Sequence, residues 1–133
     1  MSPELDKQLC EKYPKIFANR YGDMRETCMC WGIECGDGWY DLLDHLCANL
    51  QWNTDKNNYY KDGAAPYPQV VATQVKEKFG GLRFYVENAT DAQYAVISFA
   101  ESLSYHMCDV CGAKGKPNSE GWIKTRCDEH AND

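Results

Sequence analysis

The sequence predicts an α+β fold: an antiparallel β-hairpin or small sheet packed on three helices, closed by a cysteine-rich knuckle at the C-terminus. Three observations predict it. Trp39, Leu42, Leu43, Leu46, Cys47 and Leu50 recur at the spacing of one helix face. Two β-rich runs, VVATQVKEKF (70–79) and LRFYVE (82–87), flank Gly80-Gly81. Three of the eight cysteines and one histidine stand in two pairs near the chain's end, each pair separated by two residues.

The elements follow in order. Ser2-Pro3-Glu4 opens a helix over 3–20 with a capping hydroxyl, a proline in the first turn and an acid near the positive end of the dipole. Leu5, Leu9, Tyr13, Ile16 and Phe17 keep one face apolar, and Pro14, which has no N–H, kinks or restarts it. Residues 24–38 (MRETCMCWGIECGDG) are irregular and end in a Gly36-Asp37-Gly38 turn. A second helix spans 38–52, with Asp41 and Asp44 off its apolar stripe, and Asn53 to Gln69 reads as a polar loop.

A turn centred on Gly80-Gly81 pairs Phe79 with Leu82, Glu77 with Phe84 and Val75 with Val86. Lys78 then faces Arg83, and Lys76 faces Tyr85, on the opposite side. Thr90-Asp91-Ala92-Gln93 is a capping box that starts a third helix over 90–107, through Ala95, Val96, Phe99, Ala100 and Leu103. The rest is too short for a core of its own. One domain over 1–133 is therefore expected, an α+β core (1–107) with a tied tail (108–133) and a short strand around Trp122.

Composition narrows the function classes. Fourteen Lys and Arg against twenty Asp and Glu give a formal charge of −6, which argues against non-specific binding of DNA or RNA. No run approaches the roughly 18 apolar residues of a membrane span, and Met1 to Lys7 lacks an export pattern. A soluble cytoplasmic protein, in which clustered cysteines bind metal more often than they pair, is the expectation. No G-x-x-x-x-G-K-[ST] loop, G-x-S-x-G elbow, H-E-x-x-H pair or G-x-G-x-x-G fingerprint occurs. That lowers the expectation of an enzyme.

Cys108, Cys111, Cys127 and His130 read as C-x2-C-x15-C-x2-H. Each x2 pair places two ligands on one tight turn, and Gly112 permits the close approach of a knuckle. Three thiolates and an imidazole close a tetrahedron around zinc and leave no position for substrate, so one structural zinc per chain is expected. The alternatives are two disulfides or free thiols. Cys28, Cys30 and Cys35 form C-x-C-x4-C, with Cys10, His45 and Cys47 as conceivable partners. Buried thiols are the reading there, with a second metal as the alternative. His45 and His106 read as packing or surface residues.

Two charged clusters invite a functional reading beside the plain one of a solvated face. Lys76, Lys78 and Arg83 with Tyr85 form the densest positive group, suited to phosphates beside a stacking ring. Glu34, Asp37 and Asp41 lie among Trp31, Trp39 and Tyr40, a composition suited to covering a basic protein surface.

CWGIECGDGWYDLLDHLC (30–47), VVATQVKEKFGGLRFYVENA (70–89) and CDVCG…GWIKTRCDEH (108–130) together resemble a widespread family of small phage and prophage proteins, over most of the chain after Met24. The resemblance implies an accessory protein, non-structural in the virion, with a zinc-stabilised tail, and supplies no catalytic residue. By analogy with other small accessory phage proteins it implies disarming a host defence in the host cytoplasm. The two routes are sequestering a phosphorylated nucleotide signal on the basic face, or blocking a host protein with the acidic segment. A homo-oligomer is compatible with both.

Overall fold

Ser2 caps the first helix, α1 (Pro3–Lys12), by accepting the Leu5 N–H on its hydroxyl. The helix stops at Lys12, not at residue 20 as the apolar pattern predicted. Pro14 brings no N–H to continue the ladder, and the chain winds through single turns from Tyr13 to Gly22. The computed structural model describes residues 1–63 and 65–133. Ile16 and Phe17 are still buried, and the Ile16 carbonyl accepts the Ala72 N–H at 2.8 Å. The apolar spacing was thus real, but it served a coiled segment.

Asp6 fixes that segment. It is buried on α1, takes the Arg20 guanidinium at 2.8 Å, and accepts the Ile33 N–H at 2.8 Å. Gly32, at φ +82°, leaves room for this pair, since a Cβ there would lie 2.8 Å from the Asp6 carboxylate.

A 3-10 turn at Asp37–Trp39 leads into α2 (Tyr40–Tyr60). The helix continues eight residues past the predicted end at 52, through most of what reads as a polar loop. Gln51–Asp55 and Asn53–Asn57 side-chain bonds, four residues apart, hold its surface. Its far end is also claimed by α3 (Asp91–Ser104): Gln93, almost fully buried, donates to Leu50 O and to the Thr54 hydroxyl. The same Gln93 closes the predicted capping box with Thr90. One residue therefore both starts α3 and docks it on α2.

The three-stranded sheet runs β1 (Ile33–Glu34), β2 (Val71–Lys78), β3 (Gly81–Glu87), with β1 parallel to β2 and β2 antiparallel to β3. It is a mixed sheet, where the sequence predicted antiparallel pairing alone. The hairpin register also differs. Lys78 pairs with Gly81, Glu77 with Leu82, Val75 with Phe84, Lys76 with Arg83 and Gln74 with Tyr85. The turn is centred on Phe79 and Gly80, both at positive φ. Gly81 is spent elsewhere: a Cβ on it would lie 2.2 Å from the Tyr105 ring. From Gln74 to Lys78 each partner moved by two residues, so these side chains kept their faces. Phe79, expected on the apolar face, lies exposed in the turn, and a bulge between Ala72 and Gln74 shifts the register beyond it.

Val75, Leu82 and Phe84 meet Leu43, Leu46 and Leu50 in the core, with Leu9, Ile16, Met29 and Trp39. The outer edge of β3 is covered by α3, where the Ser104 hydroxyl accepts the Leu82 N–H and Glu101 accepts the Phe84 N–H. After α3, which ends at Ser104 and not 107, the tail forms a two-stranded ribbon of β4 (Lys116–Pro117) and β5 (Thr125–Arg126). The predicted strand around Trp122 is absent; Trp122 lies in the loop between these strands and is 80% exposed. Among the described residues no helix is long and apolar enough to cross a membrane.

On α2, Asp44 joins α1 through the Tyr13 hydroxyl, which donates at 2.5 Å, and the Lys12 ammonium at 2.9 Å. The phenol, and then the ammonium, hold the carboxyl below its ordinary value against the opposing effect of burial. A depressed folded-state pKa gives stability that is complete above the unfolded carboxyl's pKa of about 3.9 and is lost as pH falls through the folded value. Asp44→Asn is expected to cost about 1 kcal/mol at neutral pH, with the gap to the parent closing below about pH 4 in urea melts. An undiminished gap in acid would refute this role.

Candidate metal centre

The Cys108–Gly112 knuckle folds as its spacing dictates. The Gly112 N–H donates to Cys108 O at 2.8 Å, with Gly112 at φ +80°, and the Cys108 N–H donates to Ala113 O. On the other arm, the His130 N–H donates to Cys127 O in a 3-10 turn. These two turns bring Cys108, Cys111, Cys127 and His130 together, their ligand atoms all within 4.8 Å of one another. Cys111 Sγ lies 3.7 Å from Cys127 Sγ, and His130 Nδ1 lies 3.2 Å from Cys127 Sγ and 3.7 Å from Cys108 Sγ. The cluster could hold a metal ion. Nδ1 is the inward nitrogen, and Nε2 lies 4.0 Å from the Asp133 carboxylate.

The electrostatics single out Cys108: at Cys111 the lowering effect of the Ala113 N–H is outweighed by burial and the Cys127 and Cys108 thiols, which raise it. Burial pushes the Cys108 thiol up, but the backbone N–H groups of Cys127, Cys111 and Val110 outweigh it and bring the thiol down to about 6. Burial instead pushes Cys10 and Cys35 up to about 12, and Cys47 well above its usual value. The expectation of buried thiols holds for Cys35 but not for its neighbours: Cys28 is exposed and Cys30 half-buried. Among the described residues no metal-type cluster includes any of the three.

The knuckle rests backbone to backbone on the Gly36–Trp39 turn. The Gly38 N–H donates to Asp109 O at 3.0 Å, and the Trp39 indole donates to Met107 O at 2.8 Å. A Cβ on Gly36 would stand 1.9 Å from Asp109 O, and one on Gly38 would stand 2.3 Å from Cys108 O. Sequence reading took these glycines for a simple turn. Their second use has a faint signal, a pair of glycines around a single Asp with no hairpin to serve.

The second arm is locked by Asp109, buried inside the knuckle. Its N–H donates to Thr125 O and its carboxylate holds the Arg126 guanidinium at 2.6 Å. The Thr125 hydroxyl then donates to Gly80 O at 2.6 Å, and Lys124 pairs with Glu77. Asp109, Thr125 and Arg126 were not singled out from sequence, because long-range pairing of single residues leaves no periodic trace.

The basic cluster stays on one face despite the changed register. Lys76 and Arg83 are directly opposite, Lys78 and Tyr85 lie on the same side, and all four are half-buried or exposed. Arg83 donates to Leu82 O and to the Tyr105 hydroxyl. Tyr85 borders a recess shared with Gln74, Glu26 and Glu87. The acidic segment is split. Trp31 is 64% exposed and Glu34, Asp37 and Asp41 are exposed, but Tyr40 is half-buried and Trp39 is fully buried. Trp39 is therefore no surface anchor; its ring fills the core and its indole N–H holds the tail. His45 and His106 are exposed.

No protein-family model, curated protein or solved structure matches the chain.

Gly38→Ala drives a methyl group into backbone that cannot turn aside. The expected cost is about 3 kcal/mol, with metal lost to a chelator at a lower concentration than from the parent. Retention equal to the parent's would show that the knuckle does not need this seat.

Proposed function

We propose that the protein is a non-enzymatic binding protein that holds a phosphorylated nucleotide on the outer face of its hairpin, above a tail organised by zinc. One observation carries the first half. Lys76, Lys78 and Arg83 share a solvent-facing side, and among the described residues neither lysine has an ion-pair partner. Among the described residues six of the fourteen Lys and Arg have a carboxylate within ion-pair distance, so what marks Lys76, Lys78 and Arg83 is that three cations lie together on one side of the hairpin. Arg20, Arg126, Lys12 and Lys124 all have carboxylates. Arginine grips phosphate bidentately and lysine adds point charge, so Arg83 is the principal ligand.

The donor set supports zinc for the tail. Zn–S bonds of about 2.3 Å imply sulfur–sulfur edges of roughly 3.8 Å in a tetrahedron, close to the 3.7 Å between Cys111 and Cys127. Three sulfurs and one nitrogen fill such a shell, so the ion would hold the two arms together and offer no place to a substrate. The motif resemblance to phage and prophage proteins supports an accessory role in the host cytoplasm, where removing a nucleotide signal would disarm a defence. The alternative, covering a host protein, keeps Trp31 and the exposed acids but loses Trp39, its intended centre.

Two outcomes are expected. Protein purified without added metal should carry close to one zinc per chain, and Cys108→Ser should melt earlier and admit protease after Met107. A variant with parental melting and protease resistance would rule out a structural ion. In titration calorimetry against cyclic nucleotides and ADP-ribose derivatives, Arg83→Glu should abolish binding and Lys78→Ala weaken it. Arg83→Glu should remain folded, since the half-buried guanidinium has no carboxylate partner and the change forfeits only its bonds to Leu82 O and the Tyr105 hydroxyl, each worth about 1.5 kcal/mol. An inert panel, or an Arg83→Glu variant that unfolds, would remove the proposed site.

A further inference from the structure

Two large rings stand exposed at the tip of the hairpin. Phe79 is 65% and Trp122 80% exposed, and with Lys78, Ile123, Gly121 and Glu77 they line a mostly apolar recess of about 380 Å³. Neither ring is there for the fold. Phe79 occupies the first central position of the turn at φ +53°, where a bulky side chain is strained and asparagine is the ordinary choice. Its exposed ring recovers little by burial.

Trp122 is carried by an ordered loop. The Asn118 amide donates to Glu120 O at 2.7 Å and to Trp122 O at 2.9 Å, and its oxygen accepts the Lys124 N–H at 2.8 Å. The ring is thus presented by a backbone already held in place. Below it, the Thr125 hydroxyl and Gly80 carbonyl tie the loop's strand to the hairpin turn.

We propose that this recess takes the base of the bound nucleotide, stacked against Phe79 and Trp122, with the adjoining phosphate on Lys78. The proposal rests on the basic face being the phosphate site. Charge favours this recess for a base that carries phosphates. Glu77, the one acid on its wall, is occupied by Lys124 and the Gly80 N–H. The Lys78 ammonium lies 5.5 Å from the Phe79 ring centre, and Lys76 and Arg83 continue the positive row from there. Tyr85, the ring that sequence reading assigned to a base, borders its recess with Glu26 and Glu87, which would repel the same phosphates. Aromatic rings accept any base by its π-face, so the site selects nucleotides as a class.

The test titrates ATP, ADP-ribose and cyclic di-AMP, with tripolyphosphate as the base-free probe, into the full chain. At least one nucleotide should bind more tightly than tripolyphosphate. Phe79→Asn and Trp122→Ala should each weaken that nucleotide about tenfold and leave tripolyphosphate unchanged, whereas Tyr85→Ala should alter neither. Phe79→Asn should also melt at or above the parent's temperature, which a structural role for the ring would not allow. Parental nucleotide affinity in both ring variants, with binding lost in Arg83→Glu, would place the base elsewhere and leave the phosphate reading standing. No binding of any nucleotide or of tripolyphosphate would overturn both.

Discussion

Gly36 and Gly38 let one stretch of backbone lie directly on another some seventy residues away, and much of the molecule is arranged around that contact. On one side is the entry to α2, with Trp39 sunk in the core and its indole reaching the Met107 carbonyl. On the other is the Cys108–Gly112 knuckle, whose Asp109 gives its carbonyl to Gly38 and its carboxylate to Arg126. From Arg126 the contact passes along β5 to Thr125 and so to the hairpin turn at Gly80. The tail is a brace between the start of α2 and the tip of the hairpin. A metal at Cys108, Cys111, Cys127 and His130 would join the arms of that brace at their crossing.

The charges follow a similar division. Asp6–Arg20 and Asp109–Arg126 are largely buried pairs with further hydrogen bonds to backbone, the condition under which such pairs are tolerated. Breaking either would strand a charge inside the protein at a cost of about 3–5 kcal/mol. The outward cations of the hairpin face a different environment, where a lone lysine costs little because water solvates it. Position in the register, not the number of basic residues, therefore distinguishes cations that hold the fold from cations open to a ligand.

Much of this was legible in the sequence where a pattern repeats or a spacing is short. The α2 stripe, the Thr90–Gln93 capping box and the Cys/His pairs lie in their expected places because each is fixed by neighbours a few residues apart. Errors arose where a residue served a distant partner. Gly81 looked like half of a turn and instead admits the Tyr105 ring; Asn53 to Tyr60 looked like a loop and is helical because Thr54 meets Gln93 of α3. Trp39 lies buried, as its place on the apolar stripe predicts, and only its alternative reading as an interface ring fails; its polar partner, Met107 O, lies 68 residues on. The basic face survived its register error only because the shift was an even number of residues.

The hairpin tip is where the demands of several elements converge. Gly80 supplies positive φ and its carbonyl receives the Thr125 hydroxyl, while Gly81 yields its side to Tyr105 at the end of α3. Both glycines are committed to holding the turn against the tail and the helix. Phe79 is the one position of the turn left without such a duty, and it carries a strained, exposed ring where a smaller polar residue would sit more easily. The loop that places Trp122 opposite is anchored through Thr125 and Lys124 to that same turn. The distance between the two rings is therefore set by the tail's attachment, and the tail's attachment by the knuckle. On this geometry a metal at the knuckle would bear on the hairpin tip without touching it, by keeping two aromatic walls a fixed width apart.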